Sequence, residues 1–308
     1  MYKKREYMVT TGLPSLEKSF LTFYQRKTII KGIKEMKNEI YKITAAELEQ
    51  NTKIPLLVMN SPGEVHYEYA IQMLREIIEN NAKGKTTVFI CPCGPTEQYS
   101  ILARLVNQGN VSLKNTWIIN MDEYLTDDGQ WIAPDDQFSF HNYMNTLFYN
   151  RVRPDLVMPE EQRIFPDPEH PEKIGELIEK LGGVDMVLGG IALNGHIAFN
   201  EPAPELTNEE FKCLPTRVVT LSQETRIKDA ILGRGGAYDT IAKKAITVGM
   251  KEILGARKLR LSMLNDMQRA VIRRGCCGEV TSACPISFVQ EHPDALLMVS
   301  RNVMEIPF

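Results

Sequence analysis

Hydrophobic positions along the chain follow two spacings, one typical of amphipathic helices and one typical of buried strands. After the capping sequence SPGE at 61–64, apolar residues such as Ile71, Leu74 and Ile78 recur at spacings of three and four, which predicts a helix. Short apolar runs rich in β-branched residues predict buried strands between such helices. Further helices are predicted at 95–109 and 171–183, and strands at 86–90, 116–121, 184–191, 245–250, 258–264 and 294–300.

Strands that alternate with helices predict an α/β fold with a mainly parallel sheet and helices on both faces, a Rossmann-like three-layer arrangement. This pattern covers residues 51–308, which are predicted to form one domain. Residues 1–50 are more polar, contain the helical patches SLEKSFLTFYQRK and ITAAELEQ, and are predicted to form an N-terminal helical extension. No internal repeat divides the chain.

Composition narrows the classes of function. The chain has 308 residues and a formal net charge of −3, and this lack of basic excess argues against a nucleic-acid partner. No apolar run is long enough to cross a membrane, and the basic N-terminus has no apolar segment behind it, as a signal peptide would. Six cysteines without paired spacing predict reduced thiols and a cytoplasmic protein, with neither a metal site nor a cofactor.

Three polar motifs directly follow predicted strands, where ligands bind in parallel sheets. We therefore expect the segments 86–90, 116–121, 184–190 and 245–250 to be parallel strands of one sheet, with the three motifs at the same edge. In the first motif, CPCGPTEQY, Gly94 and Thr96 lie at the start of a helix, and backbone N–H groups there favour an anion. The alternative is a plain strand-to-helix turn.

The second and third motifs contain groups that can move protons. In NMDEY, Asp122 and Glu123 follow an apolar run, and partial burial there would tune a carboxylate for proton transfer to a substrate carbon. The alternative is a helix cap or a solvated turn. In ALNGHIAFNEP, His196 follows a glycine turn, and Glu201 lies close enough in sequence to orient it. The alternative is a structural histidine.

Together these motifs resemble those of the glucosamine-6-phosphate deaminase family. NMDEY and GHIAFNEP are similar to the family's two strongest motifs, and TRVVTLSQETR and AITVGM are similar to its later segments. The resemblance implies that the chain converts an amino sugar phosphate into a ketose phosphate and ammonia. It also implies a small-molecule sugar phosphate as ligand and a homo-oligomer as the assembled state.

The resemblance implies roles for individual residues. Asp122 matches the base that moves a proton between C2 and C1 of the sugar, His196 matches the ring-opening residue, and Glu201 matches the acid that assists it. Asn194 stands where the family has an aspartate beside the histidine turn, so it is the fourth candidate catalytic position. The candidate substrate-binding residues are Gly94, Thr96, Glu123 and Gly195.

The chain departs from the family at positions that concern chemistry. An amide at Asn194 cannot stabilise an imidazolium by charge. In the first turn, Pro95 removes a backbone N–H and Glu97 adds negative charge. Two phosphate-binding cations of the family fall on Ile231 and Asn265 in the simplest register. The alternatives are therefore a weakened sugar-binding or sugar-phosphate-binding paralogue, an isomerase for a different sugar, or a lactonase-like hydrolase, against which AFNEP argues.

Overall fold

The computed structural model describes residues 39–308. The predicted helical patch SLEKSFLTFYQRK lies outside the described residues. The other patch, ITAAELEQ, forms helix α1, which begins after a capping box between Thr44 and Glu47. Leu48 of this helix is fully buried in the same core cluster as Val271 and Ile272, so α1 packs on the α/β domain.

Seven parallel strands form the main sheet, which confirms the predicted fold class. The strand order is β1–β10–β9–β6–β2–β3–β5, so the first and last strands along the chain are neighbours at one edge. All six pairings are parallel, as expected where helices connect the strands. The strands are β1 (Leu56–Met59), β2 (Thr87–Cys91), β3 (Thr116–Asn120), β5 (Arg163–Ile164), β6 (Met186–Gly190), β9 (Lys258–Met263) and β10 (Ala295–Ser300).

Helices cover both faces of this sheet and create two cores. Along β2, Val88 and Ile90 belong to one buried cluster while Phe89 and Cys91 belong to the other, because successive side chains of a strand point to opposite faces. This two-sided burial explains the continuous apolar runs in the sequence. The helices are α1 (Ala45–Asn51), α2 (Pro62–Ala82), α3 (Glu97–Gly109), α4 (Phe140–Leu147), α5 (Lys173–Lys180), α6 (Asn208–Lys212), α7 (Gln223–Gly233), α8 (Met250–Leu254) and α9 (Arg269–Cys277).

A second, three-stranded sheet corrects one prediction. The segment 245–250 is not a strand of the parallel sheet: β8 (Lys244–Thr247) lies between β4 (Asp122–Leu125) and β7 (Arg217–Thr220), antiparallel to both. The other three predicted segments do lie in the parallel sheet. A short buried run has the same apolar composition whichever direction its partners take, so the sequence pattern could not separate the two cases.

Within residues 39–308, no helix is both long and apolar enough to cross a membrane.

Candidate active site

A cavity of about 540 Å³ opens at the carboxyl ends of β2, β6 and β9, beside the strand β4. Asp122, from the second motif, and His196, from the third, both line it. Gly94 and Thr96, from the first motif, line it as well. The three motifs therefore meet at one edge of the parallel sheet, as expected from their positions after its strands.

Close packing of two backbones fixes the cavity's floor. Gly190, the last residue of β6, lies against the turn after β2. A Cβ atom on Gly190 would come within 2.8 Å of the carbonyl oxygen of Gly94 and 3.0 Å of the Pro95 ring. Real Cβ atoms do not approach backbone that closely, so the residue at the end of this strand must be glycine. The requirement explains the second glycine of the sequence LGGI.

Asp122 is buried beside other acids. Its side chain lies in the first position of β4, opposite Thr247 of β8, and the residue is 7% exposed. Burial raises the pKa of this carboxyl well above its usual range, and the neighbouring charges of Glu123 and Asp229 raise it further, while Lys228 lowers it. Because burial destabilises the charged form of this carboxylate, it is a stronger base than a solvated carboxylate.

Helix α7 supplies two cavity residues that the sequence predictions missed, Lys228 and Asp229. The Lys228 ammonium lies 2.6 Å from the Asp229 carboxylate. The other oxygen of Asp229 accepts a 2.8 Å hydrogen bond from the hydroxyl of Tyr124, which also lines the cavity. One signal could have found them: Asp229 shares the buried face of α7 with Thr225 and Ala230, and a lone carboxylate on such a face needs a partner.

His196 is buried and holds an unsatisfied ring nitrogen. The residue is 5% exposed, and its Nδ1 has no hydrogen-bond partner. Burial, helped by the charge of Lys228, lowers the pKa of His196 to about 3. The imidazole is therefore neutral near pH 7 and able to accept a proton.

The turn before His196 depends on two backbone positions. Gly195 has a φ of +90°, and a Cβ there would press on the side chains of Val271, Cys284 and Ile286. A side chain at Gly195 would therefore point into the core, and the contact of Gly195 with substrate stays a prediction. Its small size is what lets the histidine turn lie flat against helix α9.

Asn194 stabilises the turn rather than the imidazole ring. Its side-chain oxygen accepts a 3.3 Å hydrogen bond from the backbone N–H of His196. An aspartate would accept this bond equally well, so the amide leaves the turn intact. Asn194 does not line the cavity.

Glu201 joins the histidine motif to helix α7. Its carboxylate accepts 2.8 Å hydrogen bonds from the backbone N–H and the hydroxyl of Ser222, and another from the hydroxyl of Thr225. Its nearer oxygen lies 3.9 Å from Nδ1 of His196, beyond hydrogen-bond distance. Glu201 therefore orients the helix that carries Lys228, and it faces the histidine without bonding it.

Glu123 is not among the residues that line the cavity, and its role in substrate binding stays a prediction. The side chain is fully buried and accepts hydrogen bonds from the backbone N–H groups of Tyr124, Phe140 and His141. Nδ1 of His141 also lies 2.7 Å from the Glu123 carboxylate. Because successive strand residues point to opposite sides, Asp122 faces the cavity while Glu123 anchors the start of helix α4.

A second pair of side chains at the cavity's rim was also missed. Nε2 of His66, on helix α2, lies 3.1 Å from the carboxylate of Glu97, at the start of α3. Its Nδ1 lies 3.3 Å from the side-chain oxygen of Gln98. Both His66 and Glu97 line the cavity. The sequence separates them by a whole strand, and no local pattern connects them.

No protein-family model matches the chain. Among curated proteins, it is 30% identical over 213 residues to a glucosamine-6-phosphate deaminase of Rhodopirellula baltica, covering 67% of this chain and 78% of that protein. It is 28% identical over 251 residues to the glucosamine-6-phosphate deaminase of Thermoanaerobacter pseudethanolicus, covering 79% of this chain and 92% of the relative.

Solved structures give the same picture. A monomeric glucosamine-6-phosphate deaminase superposes with a TM-score of 0.70 at 26% identity, covering 81% of this chain and 98% of that one. A 6-phosphogluconolactonase from Shewanella baltica shares the fold, with a TM-score of 0.55 at 15% identity. At the sequence level, both relatives named above are glucosamine-6-phosphate deaminases. The chain belongs to the glucosamine-6-phosphate deaminase family.

Proposed function

We propose that the chain is a deaminase and isomerase of the glucosamine 6-phosphate type, which converts a cyclic 2-amino sugar into a ketose and ammonia. The observation that carries the proposal is that Asp122 and His196 line one cavity in contrasting protonation environments. Burial raises the pKa of the Asp122 carboxyl and lowers the pKa of the His196 imidazole. Titratable groups whose environments push their pKa values apart are typical of an acid–base site.

The proposed chemistry divides between these two side chains. Neutral His196 takes the proton of the anomeric hydroxyl and delivers it to the ring oxygen as the bond between C1 and the ring oxygen breaks. The Asp122 carboxylate then removes the proton from C2 of the open-chain aldehyde and returns it to C1, while one proton of the amino group passes to O1, which becomes a hydroxyl. The resulting C2 imine adds water, and ammonia leaves. Lys228, beside Asp122, favours the carboxylate form that this step needs.

A sugar-binding paralogue with weakened catalysis is the second candidate. It is favoured by the 3.9 Å gap between Glu201 and Nδ1 of His196, together with the amide at Asn194. Without a bonded carboxylate, the imidazolium formed during ring opening gains less stabilisation. In this case the cavity binds the sugar, and turnover is slow.

The solved relative is described as a monomeric glucosamine-6-phosphate deaminase, and this describes that protein. Assembly into a homo-oligomer and location in the cytoplasm remain predictions from the sequence. So do the division at residue 50 and the contacts of Gly94 and Thr96 with substrate.

Replacing Asp122 by Asn tests the proposal. An amide of the same shape has no basicity, so ammonia release should fall by about 10² to 10⁴, the usual contribution of a general base. The same change removes a buried carboxyl whose pKa is raised, so Asp122→Asn should also raise the melting temperature at pH 7. Sugar binding, measured by titration calorimetry, should persist.

The exposed carboxylate of Asp135 provides the matched control, because Asp135→Asn makes the same chemical change outside the cavity. This variant should keep both the activity and the melting temperature of the parent. Ammonia release by Asp122→Asn within a few-fold of the parent would show that another group is the base. If the parent binds sugar but releases no ammonia, the paralogue is the correct reading.

A further inference from the structure

The cavity has little positive charge to offer an anion. Among the lining residues that the structure describes, Lys228 is the one lysine or arginine, and its ammonium is held 2.6 Å from Asp229. Three carboxyl groups line the same cavity, those of Glu97, Asp122 and Asp229. Arg269, which follows β9, turns away from the cavity to bond Asn302 and Glu305.

The remaining group that could carry a positive charge, His66, is also engaged. Its two ring nitrogens face the oxygens of Glu97, at 3.1 Å, and Gln98, at 3.3 Å. Both ring nitrogens therefore already face oxygens of the protein, and neither is free for a ligand group.

The turn before α3 offers less to an anion than the start of a helix usually does. The first turn of a helix attracts anions through its free N–H groups. Here Pro95 has no N–H, and the N–H of Thr96 lies 3.3 Å from the carboxylate of Glu97. The chain's own carboxylate stands where a negatively charged ligand group would be bound.

We infer that this cavity takes a 2-amino sugar that carries no phosphate, and that Glu97 is the residue that selects against one. The inference rests on the proposed function and names its substrate class. A phosphate dianion would meet an excess of carboxylates and no unpaired cation among the described lining residues. The ammonium group of an amino sugar meets oxygen acceptors, because the carboxyl groups of Asp122 and Asp229 line the cavity.

The first experiment compares two substrates on the intact protein. In an ammonia-release assay, kcat/KM should be higher for glucosamine than for glucosamine 6-phosphate. Inorganic phosphate at about 10 mM, which keeps the ionic strength at or below the physiological value, should not inhibit ammonia release. The inference would be overturned if kcat/KM for glucosamine 6-phosphate were about ten or more times that for glucosamine, a difference of about 1.4 kcal/mol. The deaminase proposal would then still stand.

The second experiment changes the selecting residue. Glu97→Gln removes one carboxylate and frees His66, so the ratio of kcat/KM for glucosamine 6-phosphate to that for glucosamine should rise by about fivefold, the effect of one exposed charge pair. Glu161→Gln is the matched control, since this exposed carboxylate lies outside the cavity, and its ratio should equal that of the parent. A Glu97→Gln ratio equal to that of the control would contradict the role of Glu97.

Binding decides the question if neither sugar releases ammonia, in which case the proposed function fails first. Titration calorimetry with both sugars then tests the substrate class by itself. Tighter binding of glucosamine supports the inference. Tighter binding of glucosamine 6-phosphate, or no binding of either sugar, overturns it.

Discussion

At the scale of single residues, burial decides the chemistry. His196 and His170 have the same side chain, yet His196 is 5% exposed with an unbonded Nδ1, while half of the His170 side chain is exposed. The protein keeps His196 neutral by excluding water around it. The sequence shows where this histidine is, and the surrounding side chains determine its charge.

The low pKa of His196 predicts a pH dependence of stability. The folded-state pKa of about 3 lies below the ordinary value of 6.5. Between these two pH values His196 is therefore protonated in the unfolded chain and neutral in the folded protein. The free energy of unfolding should therefore fall as pH drops from about 6.5 towards 3, by up to about 1.4 kcal/mol per pH unit. Urea unfolding of the parent and of His196→Gln at pH 7, 6 and 5 measures this, because the variant lacks the contribution.

His170→Gln serves as the control, because it makes the same change at a half-exposed side chain outside the cavity. Parallel stability curves for the parent and His196→Gln would mean that His196 is protonated equally in the folded and unfolded states.

At the scale of elements, helix α7 brings the missed residues to the cavity, and its first turn sets its position. The hydroxyl of Ser222 accepts from the N–H of Thr225 and donates to Glu201, which ties the helix to the histidine motif. Helix α1 begins with a similar cap at Thr44, which does not line the cavity. The two caps allow stability and positioning to be separated.

Ser222→Ala and Thr44→Ala should each lower the free energy of unfolding by about 1 kcal/mol, the usual value of an N-cap. Only Ser222→Ala should lower kcat/KM, by about tenfold or more, because small displacements of groups beside a reacting centre are costly. Urea unfolding and ammonia release on the two variants provide the comparison. Equal activity in both would show that the position of α7 does not limit the reaction.

At the scale of the whole molecule, the cavity exists because two sheets and the turn after β2 converge. Gly190 is the point of closest approach between β6 and that turn. Gly190→Ala should push the turn outward, lower the free energy of unfolding by about 1 to 3 kcal/mol and weaken sugar binding. Gly175→Ala, in helix α5, meets nothing nearer than 3.7 Å and should stabilise by about 0.5 to 1 kcal/mol.

Thermal unfolding and titration calorimetry with glucosamine measure both effects in these two variants. Unchanged binding by Gly190→Ala would show that the cavity's floor does not depend on this contact.

The sequence by itself determined the fold class, a parallel sheet with helices on both faces, and the positions of three motifs at the ends of its strands. These features are local: apolar periodicity and capping residues act within a few positions, and parallel strands must end at a common edge. Asp122 and His196 could be found for this reason, since each directly follows an apolar run.

Only the tertiary structure decided what faces the cavity. The pairing of β8 with β4, the inward position of Lys228 and Asp229 on α7, and the contact between His66 and Glu97 join residues far apart in the chain. Alternation along β4 turned Asp122 towards the cavity and Glu123 towards the buried start of helix α4, although both followed the same apolar run. Which strands pair and which side chains face the cavity depend on packing between elements, and no local pattern in one sequence specifies that packing.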